Sequence, residues 1–216
     1  RDLPSLIKET LKALSEARQT SGVTDSEVLF GGIEADLNAL ANAAELASGQ
    51  QDNAASEALL TAKAALASTK AGAAVDQLSI ALMNQINQGQ VEIEKRDGKV
   101  FVTLGEGGSF PSGNAGLTPE AEDILSRIAF ATMEPESTIS VAGHTDDVPI
   151  SGGLYRDNWD LAAARASSVV QAIQNTGLVS ADRMKAVSYG DTKPKADNTT
   201  DVGREQNRRI EIEIDF

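Results

Sequence analysis

The sequence of 216 residues predicts an α/β sandwich from Gly89 to Phe216, preceded by a helical leader over residues 1–88. Two observations support this division. Proline is absent between Pro4 and Pro111, whereas five prolines lie from Pro111 to Pro194, so the first stretch is typical of helices and the second of a mixed fold with turns. At the same boundary the apolar pattern changes from a helical period to a period of two.

The leader contains helical apolar patterns in four stretches, residues 5–19, 25–47, 54–75 and 75–86. In the alanine-rich third stretch, apolar residues recur at alternating spacings of four and three: Leu60, Ala64, Ala67, Ala71, Ala74 and Leu78. Because alanine buries little area, this pattern predicts either a solvated spacer helix or a weak self-associating seam. The fourth stretch is more strongly amphipathic, and we expect it to end at Gly89. It could dock onto the following domain or pair with its own copy in a homodimer.

The elements of the sandwich follow from local signals. Residues 91–104 alternate around Asp97–Gly98, which predicts a β-hairpin, and the glycine-rich segment 105–116 predicts a loop. Thr118 and Pro119 then predict a helix start. The remaining expected elements are a strand at Thr138–Gly143, a helix from Asp157 or Asn158 to about Thr176, a strand at Met184–Tyr189 and a strand at Arg208–Phe216. Strands alternating with helices predict a sheet with helices on one face and charge on the other.

Composition excludes several classes of function. The formal net charge of −13 argues against nucleic acid as a partner, because phosphate backbones require a basic surface. The chain has no cysteine and a single histidine, which excludes disulfides, thiolate sites and histidine-rich metal sites. We therefore expect no metal and no cofactor. No apolar run approaches the roughly 20 residues that cross a bilayer, so any membrane anchor is expected before Arg1.

The predicted helix that begins near Asn158 carries a candidate binding residue. Its apolar stripe includes Leu161 and Val169, and Arg165 lies on the same ridge. A partly desolvated guanidinium needs a carboxylate or an anionic ligand. Asp146 lies in the loop after the preceding strand, where ligands of open α/β sheets bind. An acid beside an arginine suits a zwitterionic ligand, but the same two residues could also form an internal salt bridge that fixes the loop.

Three motifs carry a family resemblance: GHTDDVPI at 143–150, NWDLAAARASSVVQAI at 158–173 and GREQNRRIEI at 203–212. In order and spacing they resemble the OmpA-like peptidoglycan-binding family, although Ala162 stands where that family usually has serine. The resemblance implies a two-layer α/β sandwich with a mixed sheet, in which Asp146 and Arg165 clasp meso-diaminopimelate of the peptide stem. We expect the surrounding peptidoglycan-binding residues to be His144, Thr145, Asp147, Asn158, Leu161, Ala166, Arg204, Asn207 and Arg208.

Within that family, the motifs are most similar to flagellar stator B subunits of the MotB/PomB type. This resemblance implies a periplasmic wall anchor tethered to the inner membrane, a homodimer, and a membrane ion-channel partner subunit. Two other assignments remain open: an outer-membrane lipoprotein or porin tail that tethers the envelope, and a stator-like subunit of another ion-driven motor, such as an anti-phage defence system. A peptidoglycan hydrolase is disfavoured because no nucleophile–histidine or metal constellation is visible.

Other residues have plainer interpretations. His144 is expected to form hydrogen bonds within its loop rather than to act as an acid–base catalyst. Asp146 and Asp147 are adjacent, whereas the paired carboxylates of a glycosidase flank the sugar. The basic cluster of Arg204, Asn207, Arg208 and Arg209 could anchor loops or contact muropeptide carboxylates. For Trp159 we expect packing near the site rather than a sugar platform.

Overall fold

The computed structural model describes residues 53–150 and 153–216. The helices predicted over 5–19 and 25–47 lie outside the described residues. The chain divides into two compact units, Arg1–Leu66 and Ala67–Phe216, and the second unit contains the sheet.

The helices and strands follow one another as the sequence predicted, with two additional short α-helices and one 3₁₀ turn. In chain order they are α1 (Asn53–Ala81), α2 (Met83–Asn87), β1 (Val91–Arg96), β2 (Lys99–Gly105), α3 (Glu106–Ser109), α4 (Pro119–Ala131), β3 (Thr138–His144), α5 (Asn158–Asn175), a 3₁₀ turn (Ala181–Arg183), β4 (Met184–Gly190), α6 (Asp201–Asn207) and β5 (Arg209–Asp215). Helix α3 falls in the segment predicted as a loop, and α6 falls in the basic cluster, where no helix was predicted. Both are short, so their apolar periodicity is too brief to recognise.

The strands form one mixed sheet in the order β1-β2-β5-β3-β4. All neighbouring pairs are antiparallel except β3 and β4, which are parallel. A fully buried row crosses the centre, where Ile212 of β5 pairs with Val102 on one side and Val141 on the other. The predicted α/β sandwich with a mixed sheet is confirmed.

The alternation of β5 separates the two faces of the sheet. Ile210, Ile212 and Ile214 are at most 1% exposed and belong to the hydrophobic core. On the other face, the Lys99 ammonium lies 2.7 Å from a Glu213 oxygen and 2.9 Å from an Asp215 oxygen. Period-two patterning thus directs isoleucine towards the helices and charge towards solvent.

The end of the leader contributes to this core. Ala71, Ala74, Leu78 and Leu82 are buried and cluster with strand and helix side chains of the second unit. Of the two roles left open for Val75–Ile86, the structure shows docking onto the domain. Of the two alternatives left open for the alanine-rich stretch, a self-associating seam through Ala71, Ala74 and Leu78 is excluded, because their side chains already face the core. The expected domain boundary at 88/89 remains a prediction.

Helix and turn signals explain the local geometry. Thr118 caps α4 by accepting a hydrogen bond from Ala121 N–H at 3.1 Å, and Asp157 caps α5 by accepting one from Asp160 N–H at 2.9 Å. Gly98 has φ 78° in the β1–β2 turn, a conformation that favours glycine. Within the described parts of the chain, no helix is both long and apolar enough to cross a membrane.

Candidate functional site

An open cleft of about 650 Å³ lies where β3 ends. Its walls come from the loop after β3, the amino-terminal half of α5, the α3 segment and α6. The lining residues are Glu106, Gly107, Phe110, Pro111, Ser112, Gly113, Thr145, Asp146, Val148, Pro149, Ile150, Asn158, Leu161, Arg165, Arg204, Glu205 and Arg208. This is the carboxyl end of a strand of the sheet, as the sequence predicted for the binding region.

Asp146 is held firmly in the loop after β3. Its side chain accepts a hydrogen bond from the backbone N–H of Val148 at 3.1 Å through one oxygen and from the Arg208 guanidinium at 2.6 Å through the other. The Asn158 amide donates to the carbonyl oxygens of Asp146 and Val148, each at 3.2 Å. The first turn of α5 thus fixes the loop and points one carboxylate into the cleft.

Arg165 reaches the cleft from the buried face of α5. Its side chain is 2% exposed, and its Nε donates to the Asn114 carbonyl oxygen at 2.9 Å. Its Nη2 pairs with the Glu106 carboxylate, and the guanidinium carbon lies 5.1 Å from the centre of the Phe110 ring. These contacts hold the guanidinium in one position, which favours bidentate recognition of an anion.

Glu106 is a charged cleft residue that the sequence did not single out. One of its oxygens pairs with Arg165 and the other lies 2.5 Å from Arg208 Nε, so its carboxylate bridges two guanidinium groups. A signal was present in the sequence: Glu106 is the only charged residue of the glycine-rich segment 105–116 and directly follows a buried strand. That segment was predicted only as a loop, and no local pattern indicates its partners.

Four of the charged groups that line the cleft balance one another, and so do the other two, Arg204 and Glu205. Asp146 and Glu106 supply two carboxylates, and Arg165 and Arg208 supply two guanidinium groups. Burial by itself would lower the pKa of Arg208, but its hydrogen bond to Asp146 and the charge of Glu106 outweigh this and raise that pKa above its usual value. The cleft is therefore formally neutral and offers both signs of charge, which suits a zwitterion.

The internal salt bridge considered between Asp146 and Arg165 is not formed. Asp146 pairs with Arg208 instead, and Arg165 pairs with Glu106. Seven of the predicted site residues nevertheless line one cleft: Thr145, Asp146, Asn158, Leu161, Arg165, Arg204 and Arg208. Arg204 also donates to the Asn198 carbonyl oxygen at 2.7 Å and pairs with Asp201, so its guanidinium is partly occupied at the rim.

Four predicted site residues do not line the cleft. Ala166 is fully buried in the core, and Asp147 is exposed and lies outside the lining. The side chains of His144 and Asn207 are buried and contact other parts of the protein rather than the cleft. Asn207 accepts from the backbone N–H groups of Lys195 and Ala196 at 2.7 and 2.8 Å and thereby anchors the 195–198 loop. Because Asp147 lies outside the cleft lining, Asp146 and Asp147 do not face a common cleft.

His144 is packed rather than hydrogen-bonded. It is 2% exposed, its ring centre lies 5.3 Å from that of Tyr189, and within the described residues neither ring nitrogen has a hydrogen-bond partner. The expectation of a loop hydrogen-bonder is therefore wrong. Burial, followed by the charge of Arg209, lowers its pKa to about 4, although Glu211 opposes this shift.

Trp159 lies outside the cleft lining and packs beside the backbone of β4. A Cβ added at Gly190 would lie 3.4 Å from the Trp159 ring, although the tryptophan is 48% exposed. Within the described residues, no group of three or more histidine, aspartate or glutamate side chains is placed to hold a metal ion.

Comparison with known protein families finds a match within the second unit. Residues 109–208 match the model of the OmpA family. Motility protein B of Bacillus subtilis is 30% identical over 126 residues, an alignment that covers 58% of this chain and 48% of that protein. The chain thus spans about half the length of the curated relatives it matches.

Two solved structures share both fold and sequence with this chain. The cell wall anchor of the T6SS from Pseudomonas aeruginosa is 34% identical with a TM-score of 0.59, and the match covers 64% of this chain and 96% of that one. The periplasmic domain of Helicobacter pylori MotB is 28% identical with a TM-score of 0.52, covering 58% of this chain and 78% of that one.

Proposed function

Because residues 109–208 form an OmpA-like domain, we propose that this protein is a non-catalytic anchor that binds peptidoglycan noncovalently through the stem peptide. The observation that supports this most directly is the cluster of Asp146, Glu106, Arg165 and Arg208 in one open cleft. The likeness to a cell wall anchor supports the same class of partner.

The proposed ligand group is the side chain of meso-diaminopimelate, which ends in an ammonium and a carboxylate. Asp146 would receive the ammonium, and Arg165 would hold the carboxylate in a bidentate pair. Arg208 pairs with both Asp146 and Glu106, so it would orient Asp146 while contributing a second positive charge. Thr145, Asn158 and Leu161 would shape the wall around this group.

For the whole protein we propose the periplasmic region of an ion-driven flagellar motor stator subunit, with a membrane ion-channel subunit as partner. The likenesses to Motility protein B and to a MotB periplasmic domain support this assignment. The likeness to a T6SS anchor supports the broader alternative, in which the same domain tethers another envelope assembly to the wall. Both alternatives share the binding chemistry of the cleft.

Binding assays with two stem peptides test the ligand assignment. Muropeptides with diaminopimelate should bind more tightly than those with lysine at the same position, because lysine retains the ammonium but lacks the carboxylate for Arg165. Leaving a buried polar group without its partner costs about 1–3 kcal/mol, or roughly 5- to 150-fold in affinity. Equal affinities by titration calorimetry would reject this assignment.

Substitution of Arg165 separates binding from folding. Arg165→Leu should abolish retention on peptidoglycan sacculi while retaining the native circular dichroism spectrum, because Glu106 keeps Arg208 as a partner. Arg127→Leu is a matched control, since Arg127 is an exposed arginine of α4 paired with Asp123. If Arg165→Leu unfolds the domain, or if both variants bind like the wild type, the cleft assignment fails.

A zymogram tests the absence of catalysis. The cleft holds no nucleophile next to a histidine base, and His144, the single histidine of the chain, does not line it. We therefore expect no lytic band on gels that contain peptidoglycan. A band that migrates with this protein and persists after purification would make it a hydrolase.

The homodimer is proposed through the first unit. The core-facing residues Ala71, Ala74 and Leu78 are occupied, whereas Leu60 is 65% exposed and Ala64 is exposed on α1. Sedimentation of the full chain should show a dimer, and a chain that begins at Ala67 should sediment as a monomer. If the full chain and the chain that begins at Ala67 both sediment as dimers, the interface lies in the second unit instead.

A further inference from the structure

We propose that Glu106 is an internal competitor for the ligand carboxylate: it occupies Arg165 and Arg208 in the ligand-free protein and is displaced from Arg165 when the stem peptide binds. This inference rests on the proposed function. It adds a residue that sets the affinity of the cleft and restricts the cleft to ligands that bring a carboxylate of their own.

The geometry of Glu106 is that of a bound carboxylate. Its two oxygens are divided between two guanidinium groups, one on Arg165 and one on Arg208. Arg165 is 2% exposed and Glu106 is 12% exposed, so their pair is shielded from bulk water. When a ligand approaches Arg165 through the cleft, the guanidinium edge that would bind the ligand's anion is already paired with Glu106.

Glu106 is also placed so that its side chain can leave. It begins the four-residue helix α3 and lies between Gly105 and Gly107. A Cβ added at Gly105 would meet nothing within 4 Å, and one at Gly107 would meet only Glu205 at 3.9 Å. The Glu106 backbone N–H donates to the Arg208 carbonyl oxygen at 3.0 Å, so the backbone can stay fixed while the side chain rotates.

Displacement preserves the charge balance of the cleft. When Glu106 releases Arg165, Arg208 keeps its pair with Asp146 at 2.6 Å, and Arg165 exchanges one carboxylate for another. A neutral ligand cannot make this exchange, because it would leave a buried guanidinium without an anion. The competition therefore lowers the affinity for all ligands and lowers it most for those without a carboxylate.

Removing the competitor should tighten binding. For Glu106→Gln, we expect the Kd for a disaccharide-tetrapeptide muropeptide that contains diaminopimelate to fall about three- to tenfold, because the anion site no longer has to be vacated. The same variant should melt at a lower temperature without ligand, and ligand should raise its melting temperature more than that of the wild type. A residue that only supports the site would change affinity in the opposite direction.

Glu136→Gln is the matched control. Glu136 is exposed and lies outside the cleft lining, and within the described residues its carboxylate forms no salt bridge, so the variant removes an equal charge without touching Arg165. Its Kd should match that of the wild type. If Glu136→Gln tightens binding as much as Glu106→Gln does, a general charge effect accounts for the tighter binding, and the proposal is overturned.

Other outcomes are equally decisive. If the wild type does not bind the muropeptide, the proposed function fails as well. If the wild type binds but Glu106→Gln binds equally or more weakly, only the competitor role fails. Should Glu106→Gln not fold, Glu106→Asp provides a second variant, because its shorter side chain cannot bridge both guanidinium groups and should also bind more tightly. An unchanged or larger Kd for this variant would overturn the proposal.

Discussion

Helices α4 and α5 both contribute to the core, yet their buried faces differ in chemistry. The buried residues of α4 are all apolar: Ala121, Ile124, Leu125, Ile128, Ala129 and Ala131. Those of α5 include Asn158 and Arg165 among Leu161, Ala162, Ala166, Val169 and Ile173. The polar residues of α5 lie in its amino-terminal half, and Val169 and Ile173 continue the core beyond them.

This difference locates the transition from core to cleft within a single helix. Side chains of a helix lean towards its amino terminus, so the long Arg165 side chain reaches back to the end of β3, where the cleft opens. Ala166, the next residue, is fully buried in the core. Helix α5 thus supports the sheet and the cleft at once, whereas α4 supports only the core.

The largest expected effect concerns α4. Ile128→Ala should lower the free energy of unfolding by about 2–5 kcal/mol, because a fully buried isoleucine leaves a cavity. The folded fraction should keep the wild-type Kd. Denaturant unfolding and calorimetry measure the two quantities. Phe130→Ala, on the exposed side of the same helix, should cost less than about 0.5 kcal/mol, and a loss equal to that of Ile128→Ala would contradict the assignment of faces.

A second substitution tests the contact between α5 and β3. At Gly143 an added Cβ would lie 2.1 Å from the Ala162 carbonyl oxygen, and that backbone atom cannot rotate away. Gly143→Ala should therefore cost about 1–3 kcal/mol and weaken ligand binding, because the amino-terminal half of α5 must move. Gly153→Ala is the control, since a Cβ there meets nothing within 4 Å. Wild-type stability of Gly143→Ala would show that α5 tolerates displacement.

A smaller effect is expected where α5 fixes the loop after β3. Asn158→Ala removes two hydrogen bonds, to the carbonyl oxygens of Asp146 and Val148, and should cost about 1–2 kcal/mol. The Kd for diaminopimelate muropeptides should rise, because Asp146 loses its fixed position. Asn175→Ala, at the other end of the helix, is the control. Unchanged binding by Asn158→Ala would show that the fixed position of this loop is not needed for ligand binding.

The effect that is smallest near neutral pH is a pH dependence of stability. The pKa of His144 is lowered from 6.5 to about 4, so between these values the unfolded chain binds a proton that the folded state does not. Stability contributed by neutral His144 is complete above pH 6.5, falls as the pH is lowered and is lost by about pH 4, a change of about 3 kcal/mol. His144→Gln should show a flatter profile over this window in denaturant titrations. If the wild type and His144→Gln lose stability in parallel over this pH window, the lowered pKa of His144 is contradicted.

Local sequence signals predicted most of the fold correctly. The Asp97–Gly98 turn, the Thr118–Pro119 helix start and the alternation of β5 each depend on neighbours a few residues apart, so they are visible without tertiary information. The short helices α3 and α6 were not predicted, because four and seven residues carry too little periodicity. The packing of Ala71 against the core was not predicted, and docking was only one of two roles left open for Val75–Ile86, because a helical stripe does not indicate which surface covers it.

The sequence by itself determined that Asp146 and Arg165 face one cleft, because ordered motifs at fixed spacing place them at the end of β3 and on the core face of α5. Only the tertiary structure decided which charges meet: Asp146 pairs with Arg208, and Arg165 with Glu106. These four residues come from four separate segments of the chain. Ion pairing depends on separations of a few ångströms between side-chain atoms, and these separations are set by how the segments pack together.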